Sequence, residues 1–229
     1  MNVSRPRLSE HFPHVDFPLT IEPRYNIAPT QDVLVVRHAG GAARAELVRW
    51  GIELPSGDAG RGGGLINVRS ETALGSGFFR RLLENDRVVL PASHFYEWTA
   101  RDGGRGRRPL MIAPREGVMA FAGLLGRWTN ERTGETALAA AILTCPPNEL
   151  LRPVHHRMPV VLDATGWRVW LDPRSTVEDL ARLMAPCPEP WLEVRPVSPL
   201  VNDTRHDGPE LLEPPPPEAV QQLSLLDGG

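Results

Sequence analysis

Three short segments carry side chains that could move protons beside a polyanion: Asn67-Val68-Arg69-Ser70-Glu71, His94-Phe95-Tyr96-Glu97-Trp98 and His155-His156-Arg157-Met158-Pro159. Each sets an ionisable group among apolar or β-prone neighbours, as at the end of a strand. Together they supply an amide, a carboxylate, an imidazole and several guanidiniums. Glu97 lies between Tyr96 and Trp98. In apolar surroundings its carboxyl would carry a proton at neutral pH; at an exposed strand end it would pair with an arginine. His155 and His156 are adjacent, so on a strand they would point to opposite faces and only one could serve a site. No third ligand stands at a useful spacing, which argues against a metal. Asn67 could equally cap a following helix or tie down a loop. Cys145 precedes His155 by ten residues. That allows a thiol hydrolase, although a cysteine is more often a small buried hydrophobe.

The nucleophile is the open question. The chain has no lysine, and all 25 basic residues are arginine. An amine attacks a carbonyl only when neutral, and an α-amino group titrates near ~7.7–8.0. The amine of Met1 is then the one amine nucleophile in the sequence. Arginine forks suit phosphates, but a GC-rich gene gives the same count with no function attached. Net charge is −3. Residues 207–229 hold five acids and no base, leaving 25 bases against 23 acids in residues 1–206. A local basic groove is compatible with that balance, and overall charge does not demand one.

Length and pattern constrain what must position these groups. A chain of 229 residues that is 41% apolar can bury a substantial core. No apolar run is long enough to cross a bilayer, and Met1–Pro6 lacks the apolar stretch of a signal peptide, so a cytoplasmic location is expected. Two cysteines, Cys145 and Cys187, make no disulfide scaffold. Periodicity predicts strands at 32–38, 46–52, 65–68, 87–91, 94–98, 110–113, 119–125, 137–144, 159–162 and 191–197. Helical spacing covers 72–84, 166–171 and 177–184, the last opened by a possible capping box at Ser175–Glu178. Glycine-rich stretches at 57–64 and 101–108 are loops, and the first lacks a phosphate-loop pattern. The expected architecture is α+β and mostly β: a mixed, partly closed, barrel-like sheet with flanking helices over residues 1–206. An acidic, proline-rich tail that does not fold would follow over 207–229.

Six segments in order carry a resemblance: Pro23-Arg24-Tyr25-Asn26-Ile27-Ala28-Pro29-Thr30-Gln31, Asn67–Thr72, Phe95–Trp98, Ala122-Gly123-Leu124, His155–Pro159 and Val197–Asn202. Across roughly residues 8–206 the chain resembles the SRAP (SOS-response-associated peptidase) family of abasic-site-processing proteins. The resemblance implies a monomer that binds single-stranded DNA containing abasic sites, with no cofactor and no membrane. It also implies removal of the leading methionine, and covalent or lyase-like attack on the abasic sugar through the N-terminus. It assigns Asn67 to holding sugar and nucleophile, Glu97 to proton transfer, and His155 to acid/base work at the sugar. Candidate DNA contacts are Arg69, Arg157, Asn26, Pro29 and Trp50, with Arg80, Arg81 and Arg87 along a phosphate path. One departure matters. The family begins Met-Cys-Gly-Arg and uses the cysteine amine and thiol to close a thiazolidine; here residue 2 is asparagine. A start upstream of Met1 and a relative lacking the thiol both fit. Without the thiol the chemistry stops at a reversible Schiff base, or the fold serves as a non-catalytic single-stranded-DNA module. A second departure follows Trp50-Gly51, where a glycine-rich loop replaces a further tryptophan of the family that stacks on bases.

Overall fold

The computed structural model describes residues 1–55, 64–100 and 106–215. The glycine-rich stretch at 57–64, apart from Gly64, and much of the turn at 101–108 lie outside these residues, as does the tail from 216 onward.

Among the described residues, eleven strands and five short helices follow in order. The strands are β1 (Asp32–Ala39), β2 (Ala42–Trp50), β3 (Asn67–Arg69), β4 (Arg87–Ala92), β5 (Phe95–Ala100), β6 (Arg107–Pro114), β7 (Met119–Thr129), β8 (Thr136–Cys145), β9 (Met158–Pro159), β10 (Val161–Leu162) and β11 (Leu192–Pro196). The helices are α1 (Arg5–His11), α2 (Ser70–Gly75), α3 (Gly77–Asn85), α4 (Gly166–Leu171) and α5 (Val177–Leu183).

The main sheet closes on itself. β7 pairs β4, β4 pairs β1, β1 pairs β2, β2 pairs β8, and β8 returns to β7. The β2–β8 contact is parallel and the others antiparallel, which gives a mixed five-stranded barrel. Closure removes free strand edges. β4 and β8 pack closely on either side of β7 at Gly123. A Cβ on Gly123 would stand 2.5 Å from the Leu90 side chain and 2.9 Å from the Ala141 carbonyl, so only glycine fits there. The run Ala139-Ala140-Ala141 is fully buried on the facing strand. β5, β6 and β11 form a separate three-stranded antiparallel sheet beside the barrel.

Four details depart from the sequence pattern. The single helix expected at 72–84 is two, α2 and α3, broken at Ser76, whose backbone is extended (φ −92°, ψ 130°). Ser76 sits between Gly75 and Gly77, where helix propensity is poorest. The apolar segment 159–162 is two strand fragments. Val160 crosses between them, donating to Leu143 O and accepting from Ala122 N, so the chain passes from β8 to β7. The capping box lies one residue later than expected: Thr176 and Asp179 exchange side-chain-to-backbone bonds of 3.2 and 3.1 Å. Packing also continues past residue 206, where the tail was expected to begin. Asp207 bonds the Arg24–Asn26 loop, and Leu211 is fully buried with Met111, Ala113, Val197 and Val201. Residues 198–213 form a strap whose ends meet through Ser198 N–H to Glu213 O, 3.0 Å.

Candidate active site

Each candidate group is placed by a different element. β3 pairs parallel with β8, and its alternation buries Val68 while turning Asn67 and Arg69 outward. Arg69 is the N-cap residue of α2, so Asn67 is not a helix cap. β5 pairs β6 with Glu97 opposite Leu110. Alternation sets Glu97 on the side of Phe95, which packs edge-on against Phe121 of the barrel at 5.8 Å. Tyr96 and Trp98 pack against the cluster under the strap. His155 follows a tight turn, with its N–H on Leu151 O at 3.0 Å and its Nδ1 within 2.9 Å of Arg157 O. Met1 pairs with Arg24 in both directions: its amine donates to Arg24 O, and Arg24 N–H donates to Met1 O at 2.9 Å.

These elements meet at one cavity of about 610 Å³, lined by Met1, Asn67, Glu97 and His155 together with Arg69 and Arg157. That volume accommodates a nucleotide-sized ligand. Asn26, Pro29 and Trp50 also line it. The nearest contact between two candidate acid/base groups is Glu97 Oε1 to His155 Nδ1, 3.7 Å. His156 lines the cavity too, with its ring 4.3 Å from that of His155. The expectation that the two histidines diverge fails because the segment is a bend rather than a strand.

Electrostatics divides the cavity. Burial lowers the Met1 amine from 8.0 to about 5; Asp207 partly offsets this and Arg24 adds to it. At pH 7 such an amine is almost wholly neutral. Burial holds the His94 imidazole down at about 4 and pushes the Tyr96 phenol up to about 12. Glu97 is raised above the usual carboxylate range by burial, with His155 opposing. Toward Arg157 the sense reverses. Arg157 forks onto Glu71 with two bonds of 2.9 Å and donates to Thr144 O at 2.5 Å. That fork holds the Glu71 carboxyl down at about 2.

Several candidate residues are engaged elsewhere. Asn26 is buried, and its amide reaches the carbonyls of Val201, Asp203 and His206 at 3.1, 3.4 and 3.2 Å, so its donors serve the strap. Trp50 directs its indole N–H to Ile66 O, 3.1 Å, leaving ring surface toward the cavity. Arg80 and Arg81 stand on α3 and do not line the cavity: Arg80 pairs with Glu84 at 2.8 Å, and Arg81 is exposed. Arg87 is a buried clamp donating to the carbonyls of Trp170, Leu83, Glu84 and Asp172 at 2.5–2.8 Å. Helical and strand spacing cannot separate such clamps from phosphate ligands. Cys145 is fully buried on β8, and burial pushes its thiol up to about 11, which leaves little thiolate for a hydrolase.

Sequence assigned no individual role to four residues in or beside the cavity wall: Ser93, His94, Glu71 and Asp207. Ser93 Oγ accepts from Asn2 N–H at 3.2 Å and lies 3.0 Å from His94 Nδ1. His94 Nε2 bonds Tyr25 O at 3.2 Å. Glu71 neutralises Arg157, and Asp207 holds the loop that carries Met1. A polar pair just ahead of Phe95-Tyr96-Glu97-Trp98 was a usable signal for Ser93 and His94. Nothing in an acidic, proline-rich stretch marks Asp207.

Residues 1–204 match the family described as SOS response associated peptidase (SRAP). The chain belongs to that family. It is 37% identical over 194 residues to the abasic site processing protein YoqW of Bacillus subtilis, covering 83% of this chain and 86% of that one. It is 29% identical over 203 residues to the abasic site processing protein YedK of Escherichia coli, covering 87% and 89%. A crystal structure of a Bordetella bronchiseptica protein superposes on this SRAP chain with a TM-score of 0.71 over 85% of it and 96% of the other. At 23% identity that likeness speaks to the fold alone.

Proposed function

We propose that this SRAP protein processes abasic sites in single-stranded DNA, and that its leading amine attacks the aldehyde of the ring-opened sugar. One observation carries the reading: an amine kept neutral by burial lines the same cavity as Asn67, Glu97 and His155. The processing activity named for its relatives YoqW and YedK agrees with it.

The chemistry follows from the protonation states. His155 moves the hydroxyl proton as the closed sugar opens to its aldehyde. The lone pair of the Met1 nitrogen then forms the C–N bond, and Asn67 hydrogen-bonds sugar and nucleophile. Glu97, whose pKa burial raises, donates in its protonated form to the carbinolamine hydroxyl, which leaves as water. The nitrogen's surplus proton returns to the Glu97 carboxylate, and an imine remains. Where Asn2 is the residue that follows the attacking amine, no thiol adds to that imine, and the adduct hydrolyses unless it is reduced. Arg69 and Arg157 hold the flanking phosphates, and ring surface from Trp50 and Trp98 at the cavity receives unstacked bases.

The test incubates the protein with a single-stranded oligonucleotide bearing one abasic site, with and without borohydride. A protein–DNA band only under reduction is expected. No band in either lane, with binding retained, would replace this reading by a non-covalent DNA-binding module. A DNA-independent activity lost in Cys145→Ala would replace it by a thiol hydrolase.

A further inference from the structure

The corner that holds the leading residue is built by the strap. Asp207 Oδ1 accepts the backbone N–H groups of Tyr25 and Asn26 at 2.5 and 2.8 Å, and its other oxygen accepts from Arg24 Nε. Arg24 in turn makes both backbone bonds to Met1. Tyr25 O accepts from Tyr96 Oη at 3.0 Å and from His94 Nε2. One carboxylate therefore fixes three consecutive residues of the loop on which the first residue rests.

We propose that Asp207 is a positioning residue for the reaction: it ties the Arg24–Asn26 loop to the strap and acts as the counter-charge of the Met1 amine. The inference deepens the function proposed above by naming the group that places the nucleophile. A loop fixed on both sides keeps the amine in the cavity wall, where burial strips its proton. A carboxylate nearby opposes that stripping, so the amine stays basic enough to attack. The ionisable groups around this corner are Arg24 on the loop, His94 and Tyr96 at β5, Arg195 on β11 and Asp207 on the strap. His94 and Tyr96 are neutral at pH 7. Asp207 is the one acidic group among these five that carries its charge there; burial opposes that charge, and the Arg24 and backbone hydrogen bonds outweigh it.

The absence of lysine makes this measurable without DNA, because the terminal amine is the one amine an acylating reagent can label. Competitive acylation of the intact chain across pH 3–9 gives the amine's titration midpoint directly. Asp207→Asn keeps an acceptor for Tyr25 and Asn26 and removes the charge. Its midpoint should fall by ~1 pH unit below that of the parent protein. Arg24→Gln removes the opposing charge and should move the midpoint upward. If Asp207→Asn leaves the midpoint in place, or moves it toward the value of an exposed amine, the carboxylate is only a structural tie and the proposal is overturned. Acylation needs no abasic site, so failure of the sugar chemistry and failure of this inference give different results.

Discussion

The two ends of the cavity treat charge in opposite ways. At the Met1 end, burial exceeds pairing: the Met1 amine and His94 are lowered, Glu97 and Tyr96 are raised, and all four shift toward their neutral forms. At the Arg157 end, pairing exceeds burial: Glu71 is held ionised by a two-pronged contact in which its own side chain is 57% exposed. The same desolvation that would be costly for a phosphate ligand is useful for an amine nucleophile and its proton donor. The difference teaches where each step belongs. Proton transfer and imine formation suit the neutral end, and phosphate recognition suits the end where Arg69 and Arg157 line the cavity and a phosphate can take the place of Glu71 on the Arg157 fork.

That contrast can be broken most severely at Glu97. Glu97→Gln removes the proton donor of the neutral end and should slow reductive trapping by ~10²-fold or more, with oligonucleotide affinity unchanged. Equal trapping rates would take Glu97 out of the chemistry. The charged end is probed by Arg157→Ala and Arg69→Ala. Each should weaken binding and lower the slope of log affinity against log salt by ~0.7, the share of one single-strand phosphate contact. An unaltered slope removes that arginine from the phosphate path.

The smallest effects are in stability, and they should have opposite signs at the two ends. Glu97 has a raised pKa in the folded state, so the folded protein binds more protons than the unfolded one above pH 4.5. Stability then falls as pH rises through that window, and Glu97→Gln should be the more stable protein at pH 7. Glu71 is lowered from 4.5 to about 2. Its contribution is present above pH 4.5 and is lost as pH falls through about 2. Glu71→Gln should therefore cost ~0.2–1 kcal/mol at pH 7, the range of an exposed pair. Urea titrations at pH 7, pH 4 and pH 2 decide both signs.

Much of this division was legible in the chain and part was not. Alternation at Asn67-Val68-Arg69 and at Phe95-Tyr96-Glu97 states which side chains share a face, because strand period is a local property. The closed, mixed barrel follows from many short apolar strands joined by long crossovers. What sequence could not give is who partners whom across the fold. Arg87 and Arg157 look alike in a list of arginines. One is enclosed by four backbone carbonyls, and the other forks onto a carboxylate at the cavity. Asp207 lies more than 180 residues from the loop it holds, within a stretch whose composition reads as solvated tail. Asn26, placed by resemblance among DNA contacts, turns its amide to the strap for the same long-range reason.

The most direct test of the neutral end is to map the adduct. The protein is reacted with an abasic single-stranded oligonucleotide at pH 6, reduced with borohydride, digested and read by mass spectrometry. An ordinary exposed α-amine is mostly protonated at that pH, whereas the buried one is free. The account predicts the reduced sugar on the peptide that begins at Met1. That peptide recovered unmodified, or the mass found on another residue, would contradict it.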